Sequence, residues 1–206
     1  MTARRAAALL LSALLVTPLA ACGSDDASPV PSSPVPSSSA PSEGATAASV
    51  LAEHGLDADD PVALVDDLDR TPVADRPEGL IVSVRTDELL VSSGAEEELP
   101  VALPDDRFYV SLAPYVDQTH ECFYHSLTTC KGELGGEDVD VVITQDGEST
   151  PLVDETVTVF DNGFVGFWLP KDVAGTIAVT YGDLAGEVDF GTGPDDPTCI
   201  TTLQLT

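Results

Sequence analysis

The strongest constraint on the fold is a series of short apolar segments in the last third of the 206-residue chain. They alternate apolar and polar residues, and they follow one another at the roughly 8–12-residue spacing that is typical of a β-sandwich or barrel. Asp146-Gly147 and Asp161-Asn162-Gly163 are turn signals between them. Six strands are predicted, over residues 139–144, 153–160, 164–169, 175–181, 184–190 and 199–205.

The residues before this series predict a smaller unit of helices and strands. Residues 46–68 fit two short helices: the first stops at Gly55, and the second begins with Pro61 at its first helical position. From Leu80 onwards the period of the apolar residues changes from helical to alternating, which indicates strands. Three strands are predicted here, over residues 80–84, 89–91 and 108–112.

Together these patterns predict an α+β fold class. The expected arrangement is a small α+β N-terminal domain over residues 45–113, followed by an all-β, sandwich-like C-terminal domain over residues 114–206. This length of chain suits one domain or two small ones.

The first 22 residues indicate export. Arg4 and Arg5 precede an apolar run over residues 6–16, and the sequence Leu-Ala-Ala-Cys that ends at Cys22 matches the bacterial lipobox. The run is shorter than the roughly 20 residues of a membrane-spanning helix. Residues 1–21 are therefore predicted to be a lipoprotein signal peptide, with Cys22 as the lipidated mature N-terminus. An ordinary signal peptide followed by a free Cys22 thiol is the alternative.

The segment that follows is predicted to be a tether. Residues 22–44 are rich in Ser and Pro and contain almost no large apolar side chain, so they bury too little surface to offset the entropy of ordering the chain. The folded body is thus expected at the outer face of the cell membrane, and it should contact that membrane through the lipid anchor only.

Acidic residues greatly outnumber basic ones. The chain has 36 Asp and Glu against 8 Lys and Arg, which gives a formal net charge of −28. Such a surface repels phosphate backbones, so nucleic acid is excluded as a partner. Most of these carboxylates are expected simply to keep an exported protein soluble.

Three cysteines besides the lipobox cysteine lie in what should be an oxidising compartment: Cys122, Cys130 and Cys199. An odd number predicts one disulfide with a spare thiol, an intermolecular bridge, or thiols kept reduced for chemistry. His120 and His125 flank Cys122. Thiolate with imidazole suits Cu(I) and Zn(II), and the sequence lacks the Cys-x2–4-Cys pairs of a closed structural zinc site. Copper and zinc therefore both remain as candidates, although a closed structural zinc site is not expected.

A structural role for the cysteines fits the sequence almost as well. A disulfide from Cys122 or Cys130 to Cys199 would join the last strand to the start of the sandwich, and closing such a loop contributes roughly 2–4 kcal/mol. The protein would then be a non-catalytic, disulfide-stapled surface lipoprotein. Two histidines beside a cysteine are not needed for a staple, so they favour a metal site. No Gly-x-Ser-x-Gly, His-Glu-x-x-His or Gly-rich phosphate loop indicates a competing hydrolytic or nucleotide site.

The sequence around these residues resembles a known family. The stretch Pro-Tyr-Val-Asp-Gln-Thr-His-Glu-Cys-Phe-Tyr-His-Ser-Leu-Thr-Thr-Cys, residues 114–130, strongly resembles the signature of the CueP family of exported, periplasmic copper-binding proteins. The likeness extends from about residue 50 to the C-terminus. Further segments that agree in order are residues 54–57, 82–89, 162–170 and 197–203.

The resemblance implies a two-part fold and copper bound through Cys122, Cys130 and Cys199, with His120 and His125 nearby. It also implies copper resistance, reduction of Cu(II) by the protein's own thiols, and supply of copper to an exported acceptor such as a superoxide dismutase. On this hypothesis the three cysteines are redox thiols: two of them form a disulfide and reduce two Cu(II) ions, and Cu(I) stays on the remaining soft ligands. An exported thiol-disulfide reductase would restore the thiols.

Overall fold

Residues 45–94 and 97–206 are described by the computed structural model, and they belong to one compact unit. The predicted signal peptide, Cys22 and the predicted tether as far as residue 44 lie outside the described residues. Within the described ranges, no helix has both the length and the apolar character needed to cross a membrane.

Over residues 45–94 and 97–206, two α-helices form where local capping signals predict them. Thr46 accepts a hydrogen bond from the N–H of Ser49 at the start of the first helix, and Asp60 accepts one from Ala63 at the start of the second. Pro61 occupies the first position of the second helix, where its missing N–H costs nothing. The helices are α1 (Ala47–Glu53) and α2 (Pro61–Arg70), and a 3₁₀ turn, Val73–Asp75, follows them.

Ten strands form three sheets within the described residues. The first sheet has the order β1-β2-β3, the second β10-β4-β7, and the third β6-β5-β8-β9. The alternation of apolar residues predicts every strand except β3, which is short and contains Pro100, a residue that strands rarely carry. The strands are β1 (Ile81–Val84), β2 (Glu88–Ser92), β3 (Leu99–Ala102), β4 (Arg107–Leu112), β5 (Asp138–Gln145), β6 (Val153–Thr158), β7 (Val165–Pro170), β8 (Ala174–Tyr181), β9 (Leu184–Gly191) and β10 (Cys199–Ile200).

β4 pairs with strands that follow it much later in the chain. It runs antiparallel to β7, with Tyr109 opposite Trp168, and parallel to β10, with Ser111 opposite Cys199. Its residues belong to the predicted N-terminal domain, yet both of its partners belong to the predicted sandwich. A period-two pattern predicts a strand but does not specify its partner. The domain division at residue 113 stays a prediction, and this sheet extends across it.

The two faces of β4 enter two different apolar cores. Phe108, Val110 and Leu112 point into the core shared by the second and third sheets, as alternation along a strand requires. Tyr109 points the other way and joins the core formed by the two helices with β1 and β2. The all-β, sandwich-like C-terminal part is therefore confirmed, and β4 connects it to the N-terminal helices.

The last strand is shorter than predicted. β10 contains only Cys199 and Ile200, whereas the pattern predicts a strand that continues to Leu205. A strand over residues 199–205 would place Cys199, Leu203 and Leu205 on one face, but the alternation ends with the strand, and they do not share a face. Cys199 packs with Phe164 in a small separate cluster, while Leu203 and Leu205 enter the sandwich core.

Candidate metal centre

The loop between β4 and β5 carries four of the five predicted site residues, and β10 carries the fifth. Cys199 begins β10, and its N–H donates to the backbone oxygen of Phe123 in the loop at 3.1 Å. The loop is also held to β1, because the N–H of Val84 donates to the backbone oxygen of His125 at 2.7 Å. Hydrogen bonds between remote segments thus bring the five residues to one place.

The three sulfur atoms lie close together. Cys122 and Cys199 form a disulfide with their Cα atoms 5.7 Å apart, and Cys130 keeps a free thiol. Cys130 Sγ is 3.7 Å from Cys122 Sγ. The disulfide is one of the two pairings that the sequence leaves open. Once it is reduced, all three sulfurs face a shared space.

The two histidines take different positions around the sulfurs. His125 is fully buried, and its Nδ1 lies 3.9 Å from Cys199 Sγ. His120 is exposed, and its ring packs edge-on against Phe164 with centroids 6.1 Å apart. One imidazole is therefore fixed inside the protein, and the other faces solvent.

In the described part of the chain, two overlapping groups of Cys and His have the donor atoms for a metal ion. The outer group joins His120 to Cys122 and Cys130, and the inner group joins His125 to Cys130 and Cys199. In each group the nitrogen and sulfur atoms lie within 4.8 Å of one another. Thiolate sulfur with one imidazole nitrogen suits Cu(I) and Zn(II) better than it suits oxygen-seeking cations. Cys130 belongs to both groups, so it connects the exposed position to the buried one.

Two surface cavities reach the centre from solvent on either side of His120. The larger has a volume of about 550 Å³ and exposes Cys130 in its wall, and the smaller, of about 360 Å³, exposes Cys122. An ion in either cavity meets a sulfur and His120 together. Both cavities therefore open onto residues of the outer group.

A buried carboxylate, which the sequence does not predict, supports the inner group. Asp69, near the end of α2, is fully buried, and its Oδ1 lies 2.9 Å from Nε2 of His125. A fully buried Asp is rare unless it is paired. The signal in the sequence is its spacing: Asp69 follows Val65 by one helical turn, so an acidic residue occupies the apolar face of α2.

In the disulfide-bonded form, the charges in the centre raise the pKa of His125 and lower the pKa of Cys130. Burial lowers the pKa of His125, but the Asp69 carboxylate and Cys130 outweigh this effect and raise the pKa to about 9. Burial raises the pKa of the Cys130 thiol. The imidazole of His125, the N–H of Ser126 and the Arg76 guanidinium act in the opposite direction, and the pKa ends below its usual value. Cys130 thus has the thiolate character that a soft metal requires.

Comparisons with known proteins agree on one family. The family model described as "Periplasmic copper-binding protein CueP" matches residues 63–204, a range that includes Asp69 and all five predicted ligands. A solved structure described as "Crystal Structure of S.CueP" is similar to this chain with a TM-score of 0.72 and 34% sequence identity, and the match covers 79% of this chain and 98% of that one. A search of the curated proteins found no match.

Proposed function

Because the chain belongs to the CueP family of periplasmic copper-binding proteins, we propose that its copper is held as Cu(I) by Cys122, Cys130 and Cys199 with help from His120 and His125. The observation that carries this proposal is the convergence of three sulfurs and two imidazoles from separate parts of the chain. Soft sulfur ligands prefer Cu(I).

The two groups suggest two separate roles, capture of the copper ion and its retention. The outer group, at the meeting point of both cavities, captures the ion, and His120 gives it the imidazole ligand that Cu(II) accepts well. The inner group retains Cu(I), since burial protects it from solvent and from competing ligands. Cys130 is a ligand at both positions, so an ion moves inward without leaving its sulfur.

The disulfide is the oxidised product of the proposed reduction. When Cys122 and Cys199 are thiols, each gives one electron to a Cu(II) ion, the two sulfurs form a bond, and two protons leave. Two Cu(II) ions become two Cu(I) ions, so electrons and atoms balance. An exported thiol-disulfide reductase returns the pair to thiols and closes the cycle. Lipidation at Cys22 keeps the protein at the outer face of the membrane, and an exported enzyme such as a superoxide dismutase accepts the copper.

Competition with a chromophoric Cu(I) chelator under anaerobic conditions tests the proposal. The fully reduced protein should take Cu(I) from the chelator, and the form with the Cys122–Cys199 disulfide should bind it at least tenfold more weakly, since two of three sulfurs are lost. Replacing His54 by Ala is the matched control, because this histidine lies at the C-terminus of α1 away from the sulfurs.

The same titration separates the alternatives. A disulfide that acts only as a staple predicts no Cu(I) uptake by the reduced protein, and a zinc protein predicts that Zn(II) displaces Cu(I). For the reduction step, the reduced protein should convert about two Cu(II) per molecule and form one disulfide, as counted by thiol alkylation and mass spectrometry. A Cys122→Ser variant that reduces Cu(II) at the same rate would contradict the role given to this pair.

A further inference from the structure

A buried carboxylate, Asp69, contacts the His125 ring of the inner group at Nε2, whereas Nδ1 of the same ring is close to Cys199. Asp69 does not touch any of the three sulfurs, yet its Oδ1 lies 2.9 Å from Nε2 of His125, and both side chains are fully buried. Building on the proposed function, we propose that Asp69 is a positioning residue that makes Nδ1 of His125 the nitrogen that binds copper.

The hydrogen bonds around Asp69 determine which ring nitrogen carries hydrogen. Tyr109 Oη and Ser111 Oγ both approach Oδ2, at 2.6 and 3.2 Å. Asn162 Nδ2 donates to Oδ1 at 2.9 Å. An ionised carboxylate can only accept hydrogen bonds, so the fourth contact, from His125, requires a hydrogen on Nε2. A neutral His125 therefore has its free lone pair on Nδ1.

The free nitrogen faces the sulfurs. Nδ1 of His125 is 3.9 Å from Cys199 Sγ, and a ring nitrogen of His125 lies within 4.8 Å of Cys130 Sγ as well. A ring flip would exchange Nδ1 for a carbon atom and would also break the contact with Asp69. Phe164 packs against the ring with centroids 4.5 Å apart, which further limits that rotation. The ring is thus held in the one orientation that presents a nitrogen to the metal.

The carboxylate is itself held from several directions. Asn162 donates a second hydrogen bond, at 2.7 Å, to the backbone oxygen of Asp69, which fixes the end of α2 against the turn before β7. Burying an ionised group is costly unless every lone pair is satisfied, and here four donors satisfy them. Buried partners of this kind commonly fix the tautomer and orientation of a metal-binding histidine.

The test uses the full mature chain labelled with ¹⁵N at histidine, reduced and kept anaerobic. Cu(I) is diamagnetic, so long-range ¹H–¹⁵N correlation spectra can distinguish the two ring nitrogens in the loaded protein. We expect Nδ1 of His125 to shift on Cu(I) binding while Nε2 keeps its hydrogen. In the unloaded protein, at a pH where the ring is neutral, the Nε2–H tautomer should dominate.

Variants then isolate the role of Asp69. Asp69→Ala should lose the single tautomer and bind Cu(I) about 10–100-fold more weakly, the usual effect of losing a partner of a metal ligand. Asp69→Asn keeps an acceptor oxygen and should retain the Nδ1 signal with a smaller loss. Tyr109→Phe is the matched control: it removes a donor from the same carboxylate but leaves the contact to His125, so the Nδ1 signal should remain.

Failure of this proposal differs from failure of the proposed function. Absence of Cu(I) binding to the reduced wild-type protein would overturn the proposed function. Two results would overturn the positioning role alone. The first is Cu(I) bound through Nε2 of His125. The second is equal Cu(I) affinity in the wild type and in Asp69→Asn, although the Asn variant shows mixed tautomers. Because the Asn variant preserves shape and acceptor, it keeps the test valid if Asp69→Ala fails to fold.

Discussion

Cys130 differs from the other two cysteines of the centre in its neighbours. Cys122 and Cys199 share a disulfide, whereas the thiol of Cys130 lines the larger cavity and is open to reagents. Arg76 donates from Nη1 to the backbone oxygen of Cys130 at 2.8 Å, so a positive charge lies near its sulfur. A nearby cation stabilises a thiolate relative to a thiol.

The alkylation rate of Cys130 measures this effect directly. In the disulfide-bonded protein with Cys22→Ser, the rate of reaction with iodoacetamide should rise with pH as the thiolate forms, and its midpoint should lie below the usual pKa of 9.0. Arg76→Gln should move the midpoint upward and slow the reaction at pH 7 by roughly two- to tenfold, since one pKa unit changes the thiolate fraction tenfold.

The neighbouring Lys131 provides the control for this experiment. It is exposed and is not among the main causes of the shift in the pKa of Cys130, so Lys131→Gln should move the midpoint much less than Arg76→Gln. A midpoint that stays the same in Arg76→Gln, or that moves equally in both variants, would show that the guanidinium does not act on this thiol.

At the scale of elements, local signals predict where helices and strands form better than they predict which of them meet. The caps at Thr46 and Asp60 are local, so both helices could be predicted. The partners of β4 could not, because they lie far away in the sequence. The contact of Asp69 with His125 could not be predicted for the same reason. His125 follows Asp69 by 56 residues, and only the packed fold brings the two together.

A close approach between β4 and β7 leaves room for the Tyr109 side chain, whose hydroxyl contacts Asp69. Gly166 lies opposite Ser111, and a Cβ atom at Gly166 would overlap the hydroxyl of Tyr109. Gly166→Ala should therefore displace the Tyr109 ring and destabilise the protein by about 1–3 kcal/mol, the usual cost of overpacking. Urea unfolding monitored by circular dichroism measures the change.

A double-mutant cycle tests whether the loss of stability in Gly166→Ala comes from overlap with Tyr109. In a Tyr109→Leu background, Gly166→Ala should cost clearly less, because the group that it overlaps has been removed. An equal cost in the two backgrounds would mean that another neighbour of Gly166 resists the added methyl group.

At the scale of the whole molecule, the candidate metal centre is assembled from α2, the loop after β4, and β10. Its five candidate cysteines and histidines could be chosen from the sequence because an odd cysteine count and two flanking histidines are visible without any structure, and their role as ligands stays a proposal. The disulfide pairing could not be predicted. Which cysteine pairs with Cys199 depends on how the loop folds back over β10, and long-range hydrogen bonds determine that path.

In the proposed function, disulfide and copper use the same sulfurs, so the stability of the protein should then depend on redox state and metal together. Cys122 and Cys199 are separated by 77 residues, and opening a loop of this size should lower the free energy of unfolding by about 2–4 kcal/mol. Cu(I) that binds only the folded, reduced protein should restore about 2.7 kcal/mol when present at one hundred times its Kd. Anaerobic urea unfolding of the oxidised, reduced and Cu(I)-loaded forms measures both changes.

Cys130→Ser separates the two contributions, because it keeps the disulfide but removes one sulfur from the centre. This variant should lose as much stability as the wild type on reduction, since the same loop opens, yet it should recover less with Cu(I), since fewer soft ligands remain. A disulfide that served only as a staple predicts equal losses and no recovery in either protein. If Cu(I) restores the same stability to the wild type and to Cys130→Ser, the metal is bound by sulfurs other than that of Cys130. Cys130 would then not connect the outer and inner groups.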